Sequence, residues 1–545
     1  MKLFSAEQIH GWDQYTISRE PISSIDLMER ATRKLFGWIR EQDLLGHHFF
    51  IFCGTGNNGG DGLALARMLA GAGCTPAVYL IGDPEKGSDD FRVNLARLKS
   101  TTNTGVTTVL ADSDITALKK SFVNPRVTKT KNFENDPGVD FQPLHANEVN
   151  QHQPIIIDAV FGSGLNKPPA GIHADVINFI NQSGALIVAV DLPSGMFADR
   201  DSTSNTVINA SVTLTFQVPK IALLMPSNAG RAGELIVLDI GLDNSFSQAT
   251  ESVYELVDQT TIHSIYKPRT DNSHKGIYGH ALMVAGSYGK MGAAVLAASA
   301  CLRSGAGLVT CHIPASGYQV LQTSLPEAMV VTDYNSSFNT RFDGDLSIYK
   351  VIGIGPGLGT ASETVTLLKE IMTRFSKPMV IDADALNMIG RDSNLFALIP
   401  AGSILTPHPK EFERLFGGTG SDFERMQLAV HKARQLKSVI VLKGHHTIIV
   451  TPEGRIYFNN TGNGGLAKGG TGDTLTGIIT AFLCQGYAPD DAAILAVYLH
   501  GLSADLVVKG LQSKETLLAT DLIDGLGQAF KALSPSGLSQ TSNLT

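Results

Sequence analysis

A glycine-rich segment that ends in an aspartate, residues 463–473, has the composition of an anion-binding site. Its five glycines precede a predicted helix at residues 474–483. Glycines let a ligand approach the backbone closely, and the free N–H groups at a helix start bind anions. Because a carboxylate repels bound phosphate, we expect Asp473 to act as a base on the group that attacks phosphorus. The alternative is a glycine-rich turn in which Asp473 only caps the helix.

A second glycine-rich segment, residues 54–62, follows the short apolar run at residues 49–53. A strand, a glycine loop and a helix in this order form a phosphate-binding unit. The GxGxxG spacing of dinucleotide-binding loops is met by Gly54, Gly56 and Gly59, and Asp83 follows the next predicted strand. A nicotinamide dehydrogenase is therefore one alternative for this half of the chain.

Polar side chains crowd the same segment, which distinguishes it from a bare pyrophosphate turn. Asn57, Asn58 and Asp61 suit coordination of a polar ligand or a cation. A simple turn in which asparagine tolerates positive φ is the structural alternative.

Aspartates also stand at the ends of two further predicted strands in the first half. Asp158 precedes a Gly-x-Gly turn after residues 155–157, and Asp191 and Ser194 follow residues 186–190. Ligands of open parallel sheets bind outside the carboxyl ends of the strands. Each aspartate alone could be a helix cap, but the three polar strand ends together predict a site.

The second half repeats this arrangement at the ends of four predicted strands, residues 351–354, 379–381, 403–405 and 438–442. Lys443 is either a phosphate partner or a solvated lysine at a strand end, and His408 alone is more typical of a structural histidine. His445 and His446 have no metal-binding spacing with another His or Cys, so no zinc site is predicted.

The elements that must position these residues alternate between helix and strand, which predicts an α/β fold with parallel sheets. Residues 5–45 are predicted to be helical, and residues 447–450 and 455–458 to form a hairpin. Residues 293–302 are predicted to form a helix whose small residues permit close packing on the sheet. Part of the polar region 100–153 is predicted to be a surface loop, and residues 241–259 a junction.

Composition limits the class of protein. At 545 residues the chain is too long for one ordinary core, so two to four domains are expected. A formal net charge of −8 gives no electrostatic reason for nucleic-acid binding. Residues 1–8 contain no apolar signal core, and no uninterrupted apolar run is long enough to span a bilayer. Five scattered cysteines without CxxC spacing favour free thiols in a reducing cytoplasm.

The motifs together resemble those of a known family. Residues 57–61 (NNGGD), 158–164 (DAVFGSG) and 191–195 (DLPSG) are similar to the NAD(P)H-hydrate epimerase domain. Four further motifs resemble the ADP-dependent NAD(P)H-hydrate dehydratase domain, which has a ribokinase-like fold. They are residues 274–280, 382–387, 406–409 and 463–473. The resemblance covers roughly residues 1–530 and extends to the bacterial bifunctional repair enzymes in which the two domains are fused.

The resemblance implies an N-terminal Rossmann-like three-layer α/β/α domain at residues 1–245 and a C-terminal ribokinase-like α/β domain at residues 246–533. The serine-rich run that follows predicts a disordered tail at residues 534–545. The first domain would interconvert the R and S epimers of hydrated NADH or NADPH. The second would dehydrate the S epimer to NAD(P)H, consuming ADP and releasing AMP and phosphate.

The same resemblance assigns site residues in the first domain, with Asp191 as the expected acid or base. Hydrate-binding positions are Asn57, Asn58, Gly59, Gly60, Asp61, Gly162, Ser163, Gly164, Leu165, Asn166, Lys167, Pro168 and Asp191. A K⁺ ion would be bound by Asn58, Asp158 and Ser194.

In the second domain Asp473 is expected to deprotonate or orient the substrate hydroxyl. Hydrate-binding positions are Ala293, Gly357, Gly359, His408, Pro409, Lys410, Glu411, Phe412, Glu413, Arg414 and Asp473. ADP, with Mg²⁺, would be bound by Lys443, Gly444, His445, His446, Thr447, Asn463, Gly464, Gly465, Leu466, Ala467, Lys468, Gly469, Gly470, Thr471 and Gly472.

Several positions depart from the family pattern. His445 and His446 replace small residues, the loop at residues 121–153 is longer than expected, and Lys468 either adds a phosphate contact or points outward. The implied partners are small molecules, hydrated NADH or NADPH and ADP, with no nucleic acid or membrane, and the resemblance allows a homo-oligomer. The alternative function is an ATP-dependent vitamin or small-alcohol kinase of the ribokinase-like fold with an N-terminal ligand-binding module.

Overall fold

A computed structural model of the chain describes residues 1–122, 153–510 and 512–533. The chain divides into an N-terminal unit, Lys2–Ser252, and a C-terminal unit formed by Met1 and Val253–Thr545. The predicted tail at residues 534–545 and most of the predicted loop at residues 121–153 lie outside the described residues.

The N-terminal unit contains a seven-stranded parallel sheet with strand order β4-β3-β2-β5-β6-β7-β8. Its central strands are apolar runs buried on both faces, as parallel sheets require. The strands predicted at residues 49–53, 77–81, 186–190 and 212–216 are confirmed. The elements in chain order are β1 (Lys2–Leu3), α1 (Ala6–Arg19), α2 (Ser24–Glu41), β2 (Phe49–Cys53), α3 (Asn57–Gly71), β3 (Ala77–Ile81), α4 (Asp89–Thr101), β4 (Val106–Val109), α5 (Asp112–Phe122), β5 (Ile155–Ala159), α6 (Ile172–Asn181), β6 (Leu186–Val190), β7 (Val212–Phe216), α7 (Ala229–Ala232), β8 (Glu234–Leu238) and α8 (Asn244–Ala249).

The continuous helix predicted over residues 5–45 is wrong, because two helices occupy this region. Pro21 lies between them and has no N–H to continue a helix. Ser23 then starts α2 as its N-cap, since its hydroxyl accepts a hydrogen bond of 3.2 Å from the Asp26 N–H. Within the polar region 100–153, residues 106–122 supply β4 and α5.

The C-terminal unit has a larger sheet with the order β9-β18-β17-β16-β15-β14-β13-β10-β11-β12. Pairing is parallel from β16 to β12 and antiparallel in the predicted hairpin β17–β18, which is confirmed. The elements are β9 (Tyr254–Leu256), α9 (Gln259–Ile265), β10 (His280–Val284), α10 (Met291–Arg303), β11 (Leu308–Ile313), α11 (Tyr318–Ser324), β12 (Met329–Thr332), β13 (Val351–Ile354), α12 (Ser362–Arg374), β14 (Met379–Ile381), α13 (Ala383–Arg391), β15 (Ile404–Leu405), α14 (Pro409–Phe416), α15 (Asp422–Leu436), β16 (Val439–Leu442), β17 (Ile448–Val450), β18 (Ile456–Phe458), α16 (Thr471–Cys484), α17 (Pro489–Gly510) and α18 (Ala519–Ala532).

Helix α16, which follows the glycine-rich segment, is almost completely buried. It packs closely on α10 because both helices present small residues. A Cβ atom placed on Gly477 would lie 2.1 Å from the carbonyl oxygen of Ala297 and 2.8 Å from the Cβ atom of Ala300. The predicted helix of small residues is confirmed as α10, and these small residues also allow close packing on a second helix, α16, in addition to the packing on the sheet that the sequence predicted.

Helix α17 is long and apolar enough to cross a membrane by length and composition alone. However, 67% of its apolar window is buried inside the C-terminal unit. A buried core helix passes the same test, so the apolar character of α17 is accounted for by packing.

The contact between α16 and α10 leads to a stability prediction. Gly477→Ala should destabilise the C-terminal unit by about 1–3 kcal/mol, because the added methyl group meets backbone atoms that cannot move away cheaply. The matched control is Gly527→Ala on α18, where nothing lies within 4 Å of the added Cβ, so stability should rise by up to about 1 kcal/mol. Denaturant unfolding measures both; equal effects would contradict the close contact.

Candidate active sites of the two units

The start of α16 separates two cavities of the C-terminal unit. One, of about 430 Å³, is lined by Thr471 and Gly472, and the other, of about 490 Å³, by Gly469, Gly470 and Asp473. The first N–H groups of a helix have no partner within the helix and carry its positive dipole end. The arrangement can thus hold an anion at the helix start, with a carboxylate facing the second cavity.

Asp473 is not the helix cap. Gly470 is the N-cap, with φ of 95°, and no side chain caps this helix end. The alternative in which Asp473 only caps α16 is therefore wrong. Burial raises the pKa of Asp473 to about 6, helped by the nearby carboxylate of Asp382 and opposed by Lys443. A carboxyl group with this pKa can exchange a proton near neutral pH.

Lys443 and Asp382 form an ion pair in which the Asp382 carboxylate is buried and the half-buried Lys443 lines the 430 Å³ cavity. The Lys443 ammonium donates a hydrogen bond of 2.8 Å to Asp382, whose other oxygen accepts one of 2.7 Å from Thr476 on α16. Burial raises the pKa of Asp382, but Lys443 and these hydrogen bonds outweigh burial and hold it below its usual value. Burial lowers the pKa of Lys443, but Asp382, Glu411 and Asp473 outweigh burial and raise it. Lys443 therefore remains a cation.

Four of the predicted hydrate-binding residues line the 490 Å³ cavity: Ala293, Gly357, Glu411 and Asp473. Gly359 lies beside it and donates its N–H to Asp384 at 2.8 Å, and Asp384 is a lining residue that the sequence argument missed.

The predicted segment 408–414 is the start of α14, so its side chains point in different directions. His408 caps this helix by accepting hydrogen bonds from the N–H groups of Lys410 and Glu411 at 3.1 and 3.4 Å. Phe412 is buried in the core, whereas Pro409, Lys410, Glu413 and Arg414 are exposed. Only Glu411 of this segment lines the cavity.

Most of the predicted ADP-binding residues line the 430 Å³ cavity. They are Lys443, Gly444, His445, Thr447, Asn463, Gly464, Leu466, Ala467, Thr471 and Gly472. Gly469 and Gly470 line the other cavity instead. Gly465 is buried, and His446 is bonded to the Asn459 carbonyl oxygen at 3.1 Å, with burial lowering its pKa to about 4. Lys468 points away and donates to the carbonyl oxygen of Glu515.

Residues of α17 complete the 430 Å³ cavity and were missed by sequence reasoning. His500 lines it and shares a hydrogen bond of 2.9 Å with the Thr471 carbonyl oxygen, while burial lowers its pKa to about 4. Asp505 anchors the glycine-rich segment by accepting hydrogen bonds of 2.8 Å from Gly462 N–H and the Asn463 amide. Both residues lie far along the chain from the motif, and no local pattern indicates them.

The N-terminal unit has a cavity of about 800 Å³ at the carboxyl ends of its strands. Nine of the predicted hydrate-binding residues line it: Asn57, Asn58, Asp61, Gly162, Ser163, Gly164, Leu165, Asn166 and Asp191. Gly59 and Gly60 lie beneath it inside α3, where a Cβ atom on Gly59 would lie 1.8 Å from the Gly54 carbonyl oxygen. Lys167 and Pro168 are exposed outside the cavity lining.

Asp191 is held in place from three sides. Its carboxylate accepts a hydrogen bond from the buried Lys220 ammonium and bonds of 3.3 Å from the N–H groups of Ser163 and Phe216. Its φ of 67° is rare for a residue other than glycine. Lys220, which no motif indicated, is anchored in turn by Thr215 and the Phe216 carbonyl oxygen, each at 3.0 Å.

Asp158 and Ser194 meet at the floor of the same unit. The Ser194 hydroxyl donates to Asp158 at 2.5 Å, and the Ser194 N–H donates to its other oxygen at 2.7 Å. The Phe161 carbonyl oxygen lies 3.2 Å from the same hydroxyl. Burial raises the pKa of Asp158 to about 6, and among the described residues no cationic side chain pairs with it. The amide nitrogen of the nearby Asn58 is buried without a hydrogen-bond partner.

The dinucleotide-binding alternative has no support from Asp83. This residue caps a short 3₁₀ turn by accepting a hydrogen bond of 3.1 Å from Glu85 N–H, and it lies outside the lining of the 800 Å³ cavity. The residues that do line the cavity but were missed include four from α1: Ala6, Glu7, His10 and Asp13.

Family models match both units. The NAD(P)H-hydrate dehydratase model, Carb_kinase, matches residues 281–527, and the model of the YjeF-related protein N-terminus matches residues 24–222. A bifunctional NAD(P)H-hydrate repair enzyme Nnr from Moorella thermoacetica is 34% identical over 98% of this chain and 97% of its own length. The enzyme of the same name from Escherichia coli is 31% identical over 92% of this chain and 88% of its own.

Among solved structures, the chain is similar to the ADP/ATP-dependent NAD(P)H-hydrate dehydratase from Bacillus subtilis, co-crystallised with ATP and Mg²⁺. The identity is 35% and the TM-score 0.45, covering 51% of this chain and 99% of that one.

The ion pair of Lys443 and Asp382 in the C-terminal unit leads to a second stability prediction. Lys443→Met should cost roughly 3–5 kcal/mol, because it leaves the Asp382 carboxylate buried without a counter-charge. The double variant Lys443→Met/Asp382→Asn should recover much of this loss. The control is Lys290→Met, which breaks an exposed pair with Asp384 and should cost less than about 1 kcal/mol. Urea unfolding decides; similar losses for Lys443→Met and Lys290→Met would contradict a buried role.

Proposed function

Because this chain belongs to the family of bifunctional NAD(P)H-hydrate repair enzymes, we propose how its two units divide the reaction. The C-terminal unit dehydrates the S form of hydrated NADH or NADPH with ADP, giving AMP and phosphate. The N-terminal unit interconverts the R and S forms. We assign epimerisation to the predicted domain at residues 1–245 and dehydration to the predicted domain at residues 246–533. The boundary between these domains lies a few residues before the division of the chain at residues 252 and 253.

The observation that carries the dehydratase assignment is the position of α16 between two cavities. Thr471 and Gly472 face the cavity that suits the nucleotide, and Asp473 faces the cavity that suits the hydrate. A phosphoryl group bound at the helix start would therefore lie between its donor and its acceptor.

Hydroxide is a poor leaving group, so the reaction first needs to activate the substrate hydroxyl. Asp473 accepts the proton of this hydroxyl while the hydroxyl oxygen attacks the terminal phosphorus of ADP. The bond between the two phosphates of ADP breaks, and AMP departs. The backbone N–H groups at the start of α16 and the charge of Lys443 stabilise the negative charge that develops on the phosphoryl oxygens. The electron pair of the ring nitrogen then expels phosphate as a C=N⁺ bond forms, and the adjacent ring carbon loses a proton, which the departing phosphate can accept, to give NAD(P)H.

The residues around the second cavity fit a Mg²⁺ ion carried with ADP. Asp384, Glu411 and Asp473 line it together with one lysine, Lys290, so the carboxyl groups outnumber the cationic groups, which suits a bound cation. In the described part of the chain, no group of three or more His, Cys, Asp or Glu side chains could itself hold a metal. A Mg²⁺ ion is bound largely by phosphates in nucleotide sites, and here it would supply neutralisation of the phosphate charge.

In the N-terminal unit, Asp191 is the acid–base residue and faces the 800 Å³ cavity. The oxygen atoms gathered at Asp158, Ser194 and the Phe161 carbonyl fit a K⁺ ion, because hard cations prefer oxygen ligands and Asp158 is a buried carboxylate without a cationic partner among the described residues. Asn58 lies next to this group. The ion would neutralise Asp158 and fix the turn at residues 161–164 that lines the cavity.

The kinase alternative is less well supported. The relatives that match almost the whole chain are named as repair enzymes, and a stable-alcohol kinase would not need the N-terminal cavity with its paired Asp191 and Lys220. The partners are small molecules, hydrated NADH or NADPH and a nucleotide. A cytoplasmic location and assembly into homo-oligomers stay predictions.

Replacement of Asp473 tests the dehydratase site. Asp473→Asn should lower kcat for dehydration of the S epimer by about 10²- to 10⁴-fold, since the base is lost, and should leave epimerisation near normal. In the unaltered protein, kcat/KM should rise about tenfold per pH unit up to about pH 6 and then level off as Asp473 ionises.

The control for this variant is Asp524→Asn on the exposed face of α18, which should not change either activity. NADH absorbance follows dehydration, and chromatography of the epimers follows epimerisation. Parallel loss of both activities in Asp473→Asn would contradict two separate sites, and phosphorylation of a vitamin alcohol without NADH recovery would overturn the repair function.

Exchange of the cation tests the proposed K⁺ site. Epimerisation should slow on the order of tenfold when KCl is replaced by choline chloride at equal ionic strength, because choline is too large for the site. Asp158→Asn should abolish this dependence on K⁺, while dehydration of the S epimer in the same samples should keep its rate. Equal epimerisation rates of the unaltered protein in the two salts would contradict a K⁺ site. The role of Asp158 would then be limited to its hydrogen bonds with Ser194.

A further inference from the structure

Helix α1 supplies a carboxyl group to the cavity of the N-terminal unit. This helix lies outside the matched family model, which begins at residue 24. Asp13 lines the 800 Å³ cavity together with Asp191. A smaller cavity of about 130 Å³ is lined by the same two aspartates and by Asp61 and Lys220. Asp13 and Asp191 therefore line both cavities together.

Helical spacing directs Asp13 into this space. Glu7, His10 and Asp13 recur every three residues and line the cavity, whereas Trp12 and Thr16 on the other face are buried. Trp12 is fixed by a hydrogen bond of 2.8 Å from its ring N–H to the Asp243 carbonyl oxygen and by stacking on Phe246 at 5.8 Å. The helix is thus held firmly behind the half-buried Asp13.

Asp13 differs from Asp191 in its partners. Asp191 is paired with the buried Lys220 ammonium and accepts two backbone hydrogen bonds. Within the part of the chain that the structure describes, no hydrogen bond reaches the Asp13 carboxyl group. Burial raises the pKa of Asp13 to about 6, the Lys220 charge lowers it and the Asp191 charge raises it. Two carboxyl groups that border one cavity in different surroundings, one paired and hydrogen-bonded and the other without a hydrogen bond from the described residues, are typical of an acid and a base that act together.

We propose that Asp13 is a second catalytic residue of the epimerase site, acting as the acid while Asp191 acts as the base. This inference rests on the epimerase function proposed for the N-terminal unit. Among the described residues no hydrogen bond ties up the Asp13 carboxyl group, so it is available to contact the hydrate, and Lys220 is a positioning residue that orients Asp191 through their ion pair.

The proton and electron movements balance for an inversion at the hydroxyl-bearing carbon. The ring nitrogen supplies an electron pair as the C–O bond breaks, and the Asp13 carboxylic acid donates its proton, so that water leaves and a C=N⁺ bond forms. Water then adds to the opposite face, forming a new C–O bond, and Asp191 accepts the proton that this water releases. The reverse reaction uses Asp191 as the acid and Asp13 as the base, which restores the starting protonation states.

The test compares Asp13→Asn with Asp112→Asn, an exposed change of the same kind on α5. Asp13→Asn should lower kcat for epimerisation by about 10²- to 10³-fold with little change in KM, because an acid rather than a binding contact is lost. Asp13→Glu should restore part of the rate. Dehydration of pure S epimer and the thermal unfolding profile should stay unchanged, which shows that the variant is folded.

The pH profile separates a catalytic role from a structural one. In the unaltered protein, kcat for epimerisation should fall above about pH 6 as Asp13 loses the proton that it donates, and this decline should disappear in Asp13→Asn. The charged and titratable groups facing Asp13 are His10 of α1, Asp61 of α3, Asp90 of α4, Asp191 and Lys220.

Two outcomes would overturn the inference, and they are distinguishable. Normal epimerisation by Asp13→Asn, with an unchanged pH profile, would show that Asp13 is not the acid while leaving the epimerase function intact. Absence of epimerisation by the unaltered protein, above the uncatalysed rate, would overturn the proposed function of the N-terminal unit and the inference with it.

Discussion

One buried carboxylate, Asp382, connects the elements on which the C-terminal site depends. It stands at the end of β14, binds the Lys443 ammonium at the end of β16 and accepts a hydrogen bond from Thr476 within α16. Removing a buried charge from water is costly unless it is paired, so these three elements are favoured only in this arrangement. Burial raises the pKa of Asp473, three residues before Thr476 in α16, and the Asp382 charge raises it further. Asp382 therefore contributes both to the pairing of these elements and to the pKa of Asp473.

The N-terminal unit uses a similar principle with different partners. Asp191 follows β6, and Lys220 pairs with it from the segment after β7, so two neighbouring strand ends are connected by an ion pair. Asp158 at the end of β5 is instead bound by the hydroxyl and N–H groups of Ser194. Among the described residues, Asp191 has a cationic partner, whereas Asp158 has only hydrogen-bond donors. This difference is why a proton-transfer role is assigned to Asp191 and a cation site to Asp158.

Much of this architecture could be predicted from the sequence, because buried parallel strands are short apolar runs with recognisable ends. The strands at residues 49–53, 186–190 and 351–354 have the predicted bounds. The division of residues 5–45 at Pro21 was missed because apolar spacing continues on both sides of the break. The segment 408–414 shows a second limit, since a run of seven residues that forms a helix cannot direct every side chain to one cavity. Asp13, Lys220, His500 and Asp505 join the sites only through tertiary packing, which local patterns do not record.

The central claim is that two separate sites on one chain complete the repair of both epimers. The most direct measurement starts from pure R epimer of hydrated NADH with ADP and Mg²⁺ and follows NADH absorbance with Asp191→Asn, with Asp473→Asn and with an equal mixture of the two variant proteins. We predict that Asp191→Asn alone yields NADH no faster than spontaneous epimerisation allows, and that Asp473→Asn alone yields it no faster than residual dehydration allows. The mixture of the two variants should restore rapid recovery of NADH. Rapid recovery by either variant alone, or failure of the mixture with both proteins folded, would contradict the account.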